Sequence, residues 1–368
     1  MSTTPLRWGF LGAANIARKN WHAIAHTGNS QLVAVASRDI VRAERFIQEC
    51  QASVPVSHVP RALGSYEALL ESPDIDAVYI PLPTGVRREW VIRAAEAKKH
   101  VVCEKPCAIR YSDLREMTEV CERNGVQFMD GVMFVHSLRM QRLREILQEG
   151  TALGELRRLT SQFSFFGDDQ FVASNIRSRH ELEPHGCLGD LGWYCLTLAS
   201  EVFPGKRPME VSGRVHAWIG DGVGRQGIPA EFSAELLYAG GVTASFYCSF
   251  RTENQQWASL SGTRGSLRID DFVLPFFGCE TGFELNAPEF HVQGCQFDMQ
   301  SHARRIPVRE YSNNHPSAQE TRLFREFADQ VRTGRLRRDW PERALTVQLL
   351  MDRCLASALE GGRPMVID

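Results

Sequence analysis

The stretch Val101-Val102-Cys103-Glu104-Lys105-Pro106 decides how this chain folds. Val101 to Cys103 is a short apolar run closed by a turn signal, the pattern of a buried parallel strand. Pro106 has no N–H to donate, so strand pairing ends there. Open α/β sheets bind ligands at the carboxyl ends of their strands, which puts the lysine of the Glu104-Lys105 pair at a crevice. The residues upstream read as a nucleotide-binding half, and those downstream as a platform closing over that lysine.

The upstream half opens with an apolar strand at Leu6–Leu11, followed directly by Gly12-Ala13-Ala14-Asn15-Ile16-Ala17. Against the dinucleotide fingerprint G-x-G-x-x-G/A this run has the first glycine, with alanine at the second and third positions. Taken alone it is either a phosphate-binding turn or any tight strand-to-helix turn. The context favours the first. Residues 15–26 have helical apolar spacing and residues 31–37 (QLVAVAS) form a second apolar strand, completing strand, glycine turn, helix and strand. The second strand ends at Ser37-Arg38, with Asp39 next and Arg42 one turn on. A hydroxyl and guanidinium groups suit the 2′-phosphate of NADP better than the ribose diol of NAD. The alternative is a surface arginine opening a helix that Asp39 caps. A further strand at residues 77–81 ends in Pro81-Leu82-Pro83, a loop expected to flank the cofactor. Helices at residues 88–98 and 111–124 and a strand at residues 127–130 continue the alternation, which predicts a doubly wound parallel Rossmann sheet over residues 1–130.

From residue 131 the pattern changes. A helix at residues 138–149 is followed by alternating strands at 158–166, 210–219, 231–237, 242–249 and 266–269. Hairpin signals lie at Ala239-Gly240-Gly241 and Thr263-Arg264-Gly265. Residues 131–368 are therefore expected to form a substrate-binding and assembly domain on a large, mostly antiparallel open sheet, with helices at 320–332 and 341–359 closing the chain. Within it lies His185-Gly186-Cys187-Leu188-Gly189-Asp190-Leu191-Gly192-Trp193-Tyr194. On a helix Asp190 and Tyr194 share a face. They are either proton-transfer groups or a helix cap and a core tyrosine.

Composition is that of a globular protein: 368 residues, 43% hydrophobic, 23% charged and a net charge of −2. The charge balance gives no electrostatic reason to bind nucleic acid or an anionic membrane. No apolar run is long enough to span a bilayer, and the opening residues lack a signal-peptide pattern. Ten scattered cysteines read as reduced thiols in a cytoplasmic protein. No Cys-x-x-Cys or histidine ligand spacing is present, so no metal is expected.

Together, the Gly-Ala turn, Glu104-Lys105-Pro106 and Gly189-Asp190-x-Gly192-x-Tyr194 resemble the glucose–fructose oxidoreductase family, which also holds inositol dehydrogenases and dihydrodiol dehydrogenase (the Gfo/Idh/MocA type). The resemblance runs over nearly the whole chain, within a subgroup that implies no particular substrate. It implies an NAD(P)-dependent oxidoreductase acting on a carbinol or ketone of a sugar, polyol, nucleotide-linked sugar or cyclic diol. Lys105 becomes the catalytic lysine, Asp190 the group that positions the substrate hydroxyl, and Tyr194 the acid/base. A phenol is normally protonated near neutral pH, and a nearby ammonium favours the phenolate. Lys105 is expected to supply that charge. Gly12, Ala13, Ala14, Asn15, Ile16, Ser37, Arg38, Arg42, Pro81, Leu82, Pro83, Glu104 and Lys105 are the expected cofactor contacts, with NADP preferred over NAD.

The sequence departs from the family pattern before the aspartate motif, where Pro184-His185-Gly186-Cys187 replaces a glycine run, and at Arg87, where a histidine is common. His136, Arg177 and His185 are substrate-site candidates. A homodimer or homotetramer through the C-terminal sheet is expected, with residues 272–277 (FVLPFF) either at that interface or in a buried hairpin. A different class of function, a cofactor-binding sensor without turnover, uses the same fold. The Lys105, Asp190 and Tyr194 set argues against it, because a binding module has no need of those groups.

Overall fold

The apolar runs of the first half become a six-stranded sheet. In the computed structural model, which describes residues 4–168, 170–171, 175, 179–220 and 227–367, the chain forms two compact units built from discontinuous segments. The first comprises Met1–His136, Glu181–Glu183 and Asn313–Leu349, and the second Ser137–His180, Pro184–Ser312 and Leu350–Asp368. In the first unit β1 (Leu6–Leu11), α1 (Asn15–Ala25), β2 (Ser30–Ala36), α2 (Ile40–Ser53), β3 (Arg61–Leu63), α3 (Tyr66–Glu71), β4 (Ala77–Ile80), α4 (Thr84–Glu96), β5 (His100–Cys103), α5 (Tyr111–Arg123) and β6 (Phe128–Asp130) alternate without exception. The strands lie in the order β3-β2-β1-β4-β5-β6, and every neighbouring pair is parallel. The order reverses between β1 and β4, so a crevice opens at their carboxyl ends. β4 and the Val101–Cys103 run of β5 are completely buried, as strands covered on both faces must be.

The second unit begins with α6 (Leu138–Glu149), β7 (Leu156–Phe166), a π-helical turn at Leu188–Gly192 and α7 (Trp193–Val202). Then follow β8 (Glu210–Ile219), β9 (Ile228–Leu237), β10 (Thr243–Ser249), β11 (Arg251–Gly262), β12 (Ser266–Ile269), β13 (Thr281–Asn286), β14 (Glu289–Gln293), β15 (Gln296–Gln300) and β16 (Ala303–Val308). With β17 (Met365–Val366) from the chain end, nine of these strands form one sheet in the order β16-β13-β12-β11-β7-β10-β9-β8-β17. Only the β7–β10 pair is parallel. The Gly240 and Arg264 turns join β9 to β10 and β11 to β12, as the hairpin signals predict. Leu159, Phe163, Phe246 and Leu260 line the buried face of this sheet, while Thr160, Gln162, Ser245 and Tyr247 stand half-exposed on the other. On α6 the fully buried Arg139 is held by the Asp271 side chain and, at 2.6 Å, by the Asp271 carbonyl. β11 and β13 to β16 go beyond the strands read from sequence, because their apolar residues are too few or too interrupted by charge to give a clear alternation.

The closing helices, α8 (Gln319–Arg332) and α9 (Asp339–Leu359), do not follow a boundary at residue 130. α8 belongs to the first unit and α9 starts there. Trp8 of β1 packs against Phe324 and Phe327 at 5.1 and 5.2 Å between ring centroids, and Phe327 stacks on Trp340 at 6.0 Å. Glu320 pairs with Lys19 of α1 at 2.5 Å. A helix with this apolar stripe covers whichever sheet face lacks a partner, and local spacing does not reveal which. Replacing fully buried Phe327 with alanine is expected to cost about 3–5 kcal/mol, read as a lower denaturant midpoint with the first unit's near-UV signal as probe.

Candidate active site

The crevice side of the first unit is built around three turns. At Gly12 the backbone takes φ +128°, and an added Cβ would sit 3.0 Å from the Leu82 side chain. Only glycine brings the strand-to-helix turn so close to the loop after β4. Ala13 and Ala14 then lead into α1, whose first residues Asn15 and Ile16 are exposed. No side chain caps this helix and its first turn carries no acid. Its orphan N–H groups and the positive end of its dipole could therefore hold an anion such as a pyrophosphate.

The end of β2 supplies the second turn. Ser37 is buried and its hydroxyl takes the Asp39 N–H at 3.4 Å. The Asp39 carboxylate accepts the Val41 N–H at 3.0 Å, so it serves as the N-cap of α2. Arg38 and Arg42 are exposed, and the Arg42 Nη2 lies 3.5 Å from the Ala13 carbonyl oxygen. Burial raises the pKa of the Tyr66 phenol, while Arg38 and Arg42 beside it oppose that shift. The Arg42 guanidinium thus stands beside the glycine turn, Arg38 lies with it near Tyr66, and the Asp39 carboxylate is engaged in capping. This arrangement fits a 2′-phosphate.

The third turn holds Lys105. The Glu104 carboxylate is 7% exposed and is turned inward. Oε1 accepts the Tyr79 hydroxyl at 2.6 Å and Oε2 the Lys105 N–H at 3.3 Å. Burial, with the Glu104 carboxylate next, holds the Tyr79 phenol pKa far above its ordinary value, so Tyr79 stays a donor. Glu104, expected among the cofactor contacts, also serves as an internal support, each oxygen accepting one bond from the protein. Arg87, also buried, is the other support. Its Nε donates to the Leu82 carbonyl at 2.6 Å, and Nη1 donates to Thr84 Oγ1 at 3.0 Å and to the Pro106 carbonyl. One guanidinium therefore ties the Pro81-Leu82-Pro83 loop to the loop carrying half-buried Lys105 and the cis Lys105–Pro106 peptide.

A fourth contact comes from far along the chain. Glu183 accepts the Thr84 N–H at 3.0 Å and the Thr84 hydroxyl at 2.6 Å, capping α4 with a carboxylate. The Gly85 N–H donates to the Leu182 carbonyl, and a Cβ on Gly85 would lie 2.4 Å from the Glu181 oxygen. Glycine at 85 is what lets the 181–183 segment lie there. His136 lies elsewhere in this unit, 5% exposed. Its Nδ1 is 2.8 Å from Glu326, its carbonyl accepts from Arg322, and its ring is 6.1 Å from Trp340. Burial lowers its pKa, against the pull of Glu326. These contacts pack His136 against α8 and Trp340 of α9, whereas the sequence had marked it for substrate.

In the second unit the aspartate motif is a π-helical turn running into α7. Gly186 has φ +49°, and an added Cβ would meet the Pro229 carbonyl at 2.2 Å. Buried His185 begins the turn, with the Gly189 N–H donating to its carbonyl. A Cβ on Gly192 would meet Leu188 at 2.9 Å and Phe246 at 3.3 Å, so the turn presses directly on β10. Asp190 is half-buried and Tyr194 is 8% exposed. Four residues fall just short of one full turn of a π-helix and just past one turn of an α-helix, so the two stay on one side of the element. The Tyr194 ring packs edge-on against Phe163 at 5.5 Å, and Phe163 lies 6.5 Å from Phe272. Phe272 and Val273 are buried, whereas Leu274, Phe276 and Phe277 are exposed, so the FVLPFF segment is half core and half surface. Arg177 lies outside the described residues. Among the described residues no cluster of His, Cys, Asp and Glu could hold a metal, and no helix is long and apolar enough to cross a membrane.

Arg87, Tyr79 and Glu183 are the residues that sequence reading passes over or leaves without a role. Each has at least one partner 19 to 99 positions away, beyond any local pattern.

Residues 6–132 match the family described as an oxidoreductase family with an NAD-binding Rossmann fold, and residues 140–268 match the GFO/IDH/MocA C-terminal domain. The chain is 33% identical over 275 residues to trans-1,2-dihydrobenzene-1,2-diol dehydrogenase of Mus musculus, covering 73% of this chain and 76% of that one. It is 36% identical to dTDP-3,4-didehydro-2,6-dideoxy-alpha-D-glucose 3-reductase of Saccharopolyspora spinosa, covering 74% and 76%. D-xylose 1-dehydrogenase (NADP(+)) 2 of Haloferax volcanii is 33% identical over 72% and 76%. The solved KijD10, a 3-ketoreductase from Actinomadura kijaniata in complex with NADP and TDP-benzene, superposes with a TM-score of 0.78 at 25% identity, over 96% of this chain and 98% of that one. This chain belongs to the GFO/IDH/MocA oxidoreductase family and is an NAD(P)-dependent dehydrogenase or reductase.

Proposed function

We propose that the enzyme prefers NADP and acts on a carbinol or its ketone in a sugar, polyol, nucleotide-linked sugar or cyclic diol. The observation that carries the cofactor reading is Arg42 beside the uncapped α1, with Arg38 exposed near it at Tyr66 and Asp39 committed to the N-cap of α2. Gly12, Ala13, Ala14, Asn15 and Ile16 would receive the pyrophosphate, Ser37 with the two arginines the 2′-phosphate, and Pro81, Leu82 and Pro83 would flank the nicotinamide side. When bound, the nicotinamide supplies or accepts the hydride. Tyr194 moves the hydroxyl proton of the substrate. Lys105 contributes the positive charge that eases that transfer, and Asp190 orients the hydroxyl. His185 and Arg177 are proposed to touch substrate. The substrate classes rest on the named relatives, which act on a dihydrodiol, a pentose and a dTDP-linked keto sugar.

The same reading places the enzyme in the cytoplasm, supported by ten cysteines free of disulfides, eight of them buried. It also has copies assemble as a homodimer or homotetramer through the open face of the nine-stranded sheet.

Two experiments test the chemistry. Tyr194→Phe keeps the ring against Phe163 and removes only the hydroxyl. Turnover of a carbonyl panel with NADPH should fall by about 10²–10⁴-fold, with NADPH affinity by fluorescence titration nearly unchanged. Wild-type turnover in this variant would remove Tyr194 from the proton path. Arg38→Ala with Arg42→Ala removes charge-assisted bonds worth about 1.5–3 kcal/mol each. The ratio of NADP to NAD affinity should drop by at least about tenfold, and an unchanged ratio would place the 2′-phosphate elsewhere.

A further inference from the structure

β14 and β15 stand apart from the rest of the second unit. They pair only with each other, joined through Gly294-Cys295, and all ten strand residues are exposed. The register Phe290↔Met299 and Val292↔Phe297 puts these four side chains on one face. Phe290 and Phe297 stack at 6.1 Å with planes 6° apart, and the four are 55–72% exposed. The opposite face carries Glu289, His291, Gln293, Gln296, Asp298 and Gln300. This is an amphipathic hairpin with its apolar stripe facing solvent. A lone two-stranded hairpin is marginal in water and needs a third layer against its apolar face. Patches of this kind mark interaction sites.

We infer that this hairpin is an arm that lies on a second copy of the chain, each copy lending its arm to the other. Three observations select that occupant. First, the residues from Glu289 to Gln300 include two acids and no lysine or arginine, which disfavours an anionic lipid surface. Second, taking about 150–250 Å² for a large side chain, the exposed fractions add to roughly 450 Å² of apolar surface per arm. An arm laid on its symmetry mate would bury only about 900 Å² in total, short of the roughly 1,200–2,000 Å² of a stable interface. Two arms each laid on a separate surface of the other copy bury about 1,800 Å², within that range. Third, the same unit offers an apolar acceptor in Leu274, Phe276 and Phe277, the last 94% exposed. A two-fold axis lets arm meet acceptor twice with no surface left over.

The test is the mass of the full chain in solution by light scattering, for wild type and for Phe297→Asp/Met299→Asp. The expected result is a wild-type oligomer and a twofold lower mass for the variant, with its far-UV spectrum and NADPH binding intact. A variant that keeps the wild-type mass, or a monomeric wild type, overturns the inference, as does wild type that co-sediments with phosphatidylcholine vesicles. Should the variant misfold, hydrogen exchange on wild type decides. Amides of residues 289–300 should be protected in the oligomer and lose that protection on dilution to the smaller species, whereas an arm exchanging freely in the oligomer contradicts the assignment.

Discussion

A buried carboxylate fixes the end of β5. Glu104 sits where a charge is expensive to keep, so its oxygens must be satisfied by groups that cannot move away. Tyr79 is one such group, fully buried on the neighbouring strand β4 and held protonated by its surroundings. The Lys105 N–H is the other. The adjoining loop is pinned by Arg87, whose guanidinium reaches three acceptors on two loops. Lys105 therefore follows the strand on a loop whose backbone is pinned on both sides. Sites built this way hold their geometry more tightly than those on loose loops.

The same principle explains the glycines that matter. Gly12 admits Leu82, Gly85 admits the 181–183 segment, and Gly186 admits the Pro229 carbonyl. In each case a backbone or side chain from a distant element occupies the space a Cβ would fill. The contacts join the phosphate turn, the loop after β4 and the segment that leads into the aspartate motif, each within its own unit.

Much of this was legible in the sequence. Short apolar runs between glycine and proline signals mark β1, β2, β4 and β5, because strands buried on both faces carry little else. The turn at Gly12, the Lys105 strand end and the exposed Arg38 and Arg42 follow from local chemistry. Other parts were hidden for physical reasons. β3 is three residues long, and the first half of β11, Arg251-Thr252-Glu253-Asn254-Gln255, is polar and mostly exposed. The π-helical turn falls in a glycine-rich run where no period is readable. α8 shows its apolar stripe clearly, but that it covers Trp8 depends on the whole fold. Glu104 and His136 carry the right chemistry for a site, and only their distant partners, Tyr79 and Glu326, show that they bond within the protein. Substrate identity is not encoded at this level, since relatives of similar identity act on a diol, a pentose and a keto sugar.

The most direct test of the claim that Lys105 depends on its buried support is steady-state NADPH turnover by Tyr79→Phe. This change deletes one oxygen and leaves Oε1 of the Glu104 carboxylate without its Tyr79 donor, a defect worth about 1–3 kcal/mol. The account predicts a kcat lower by about tenfold or more, with NADPH affinity little changed. A kcat equal to that of wild type would contradict it.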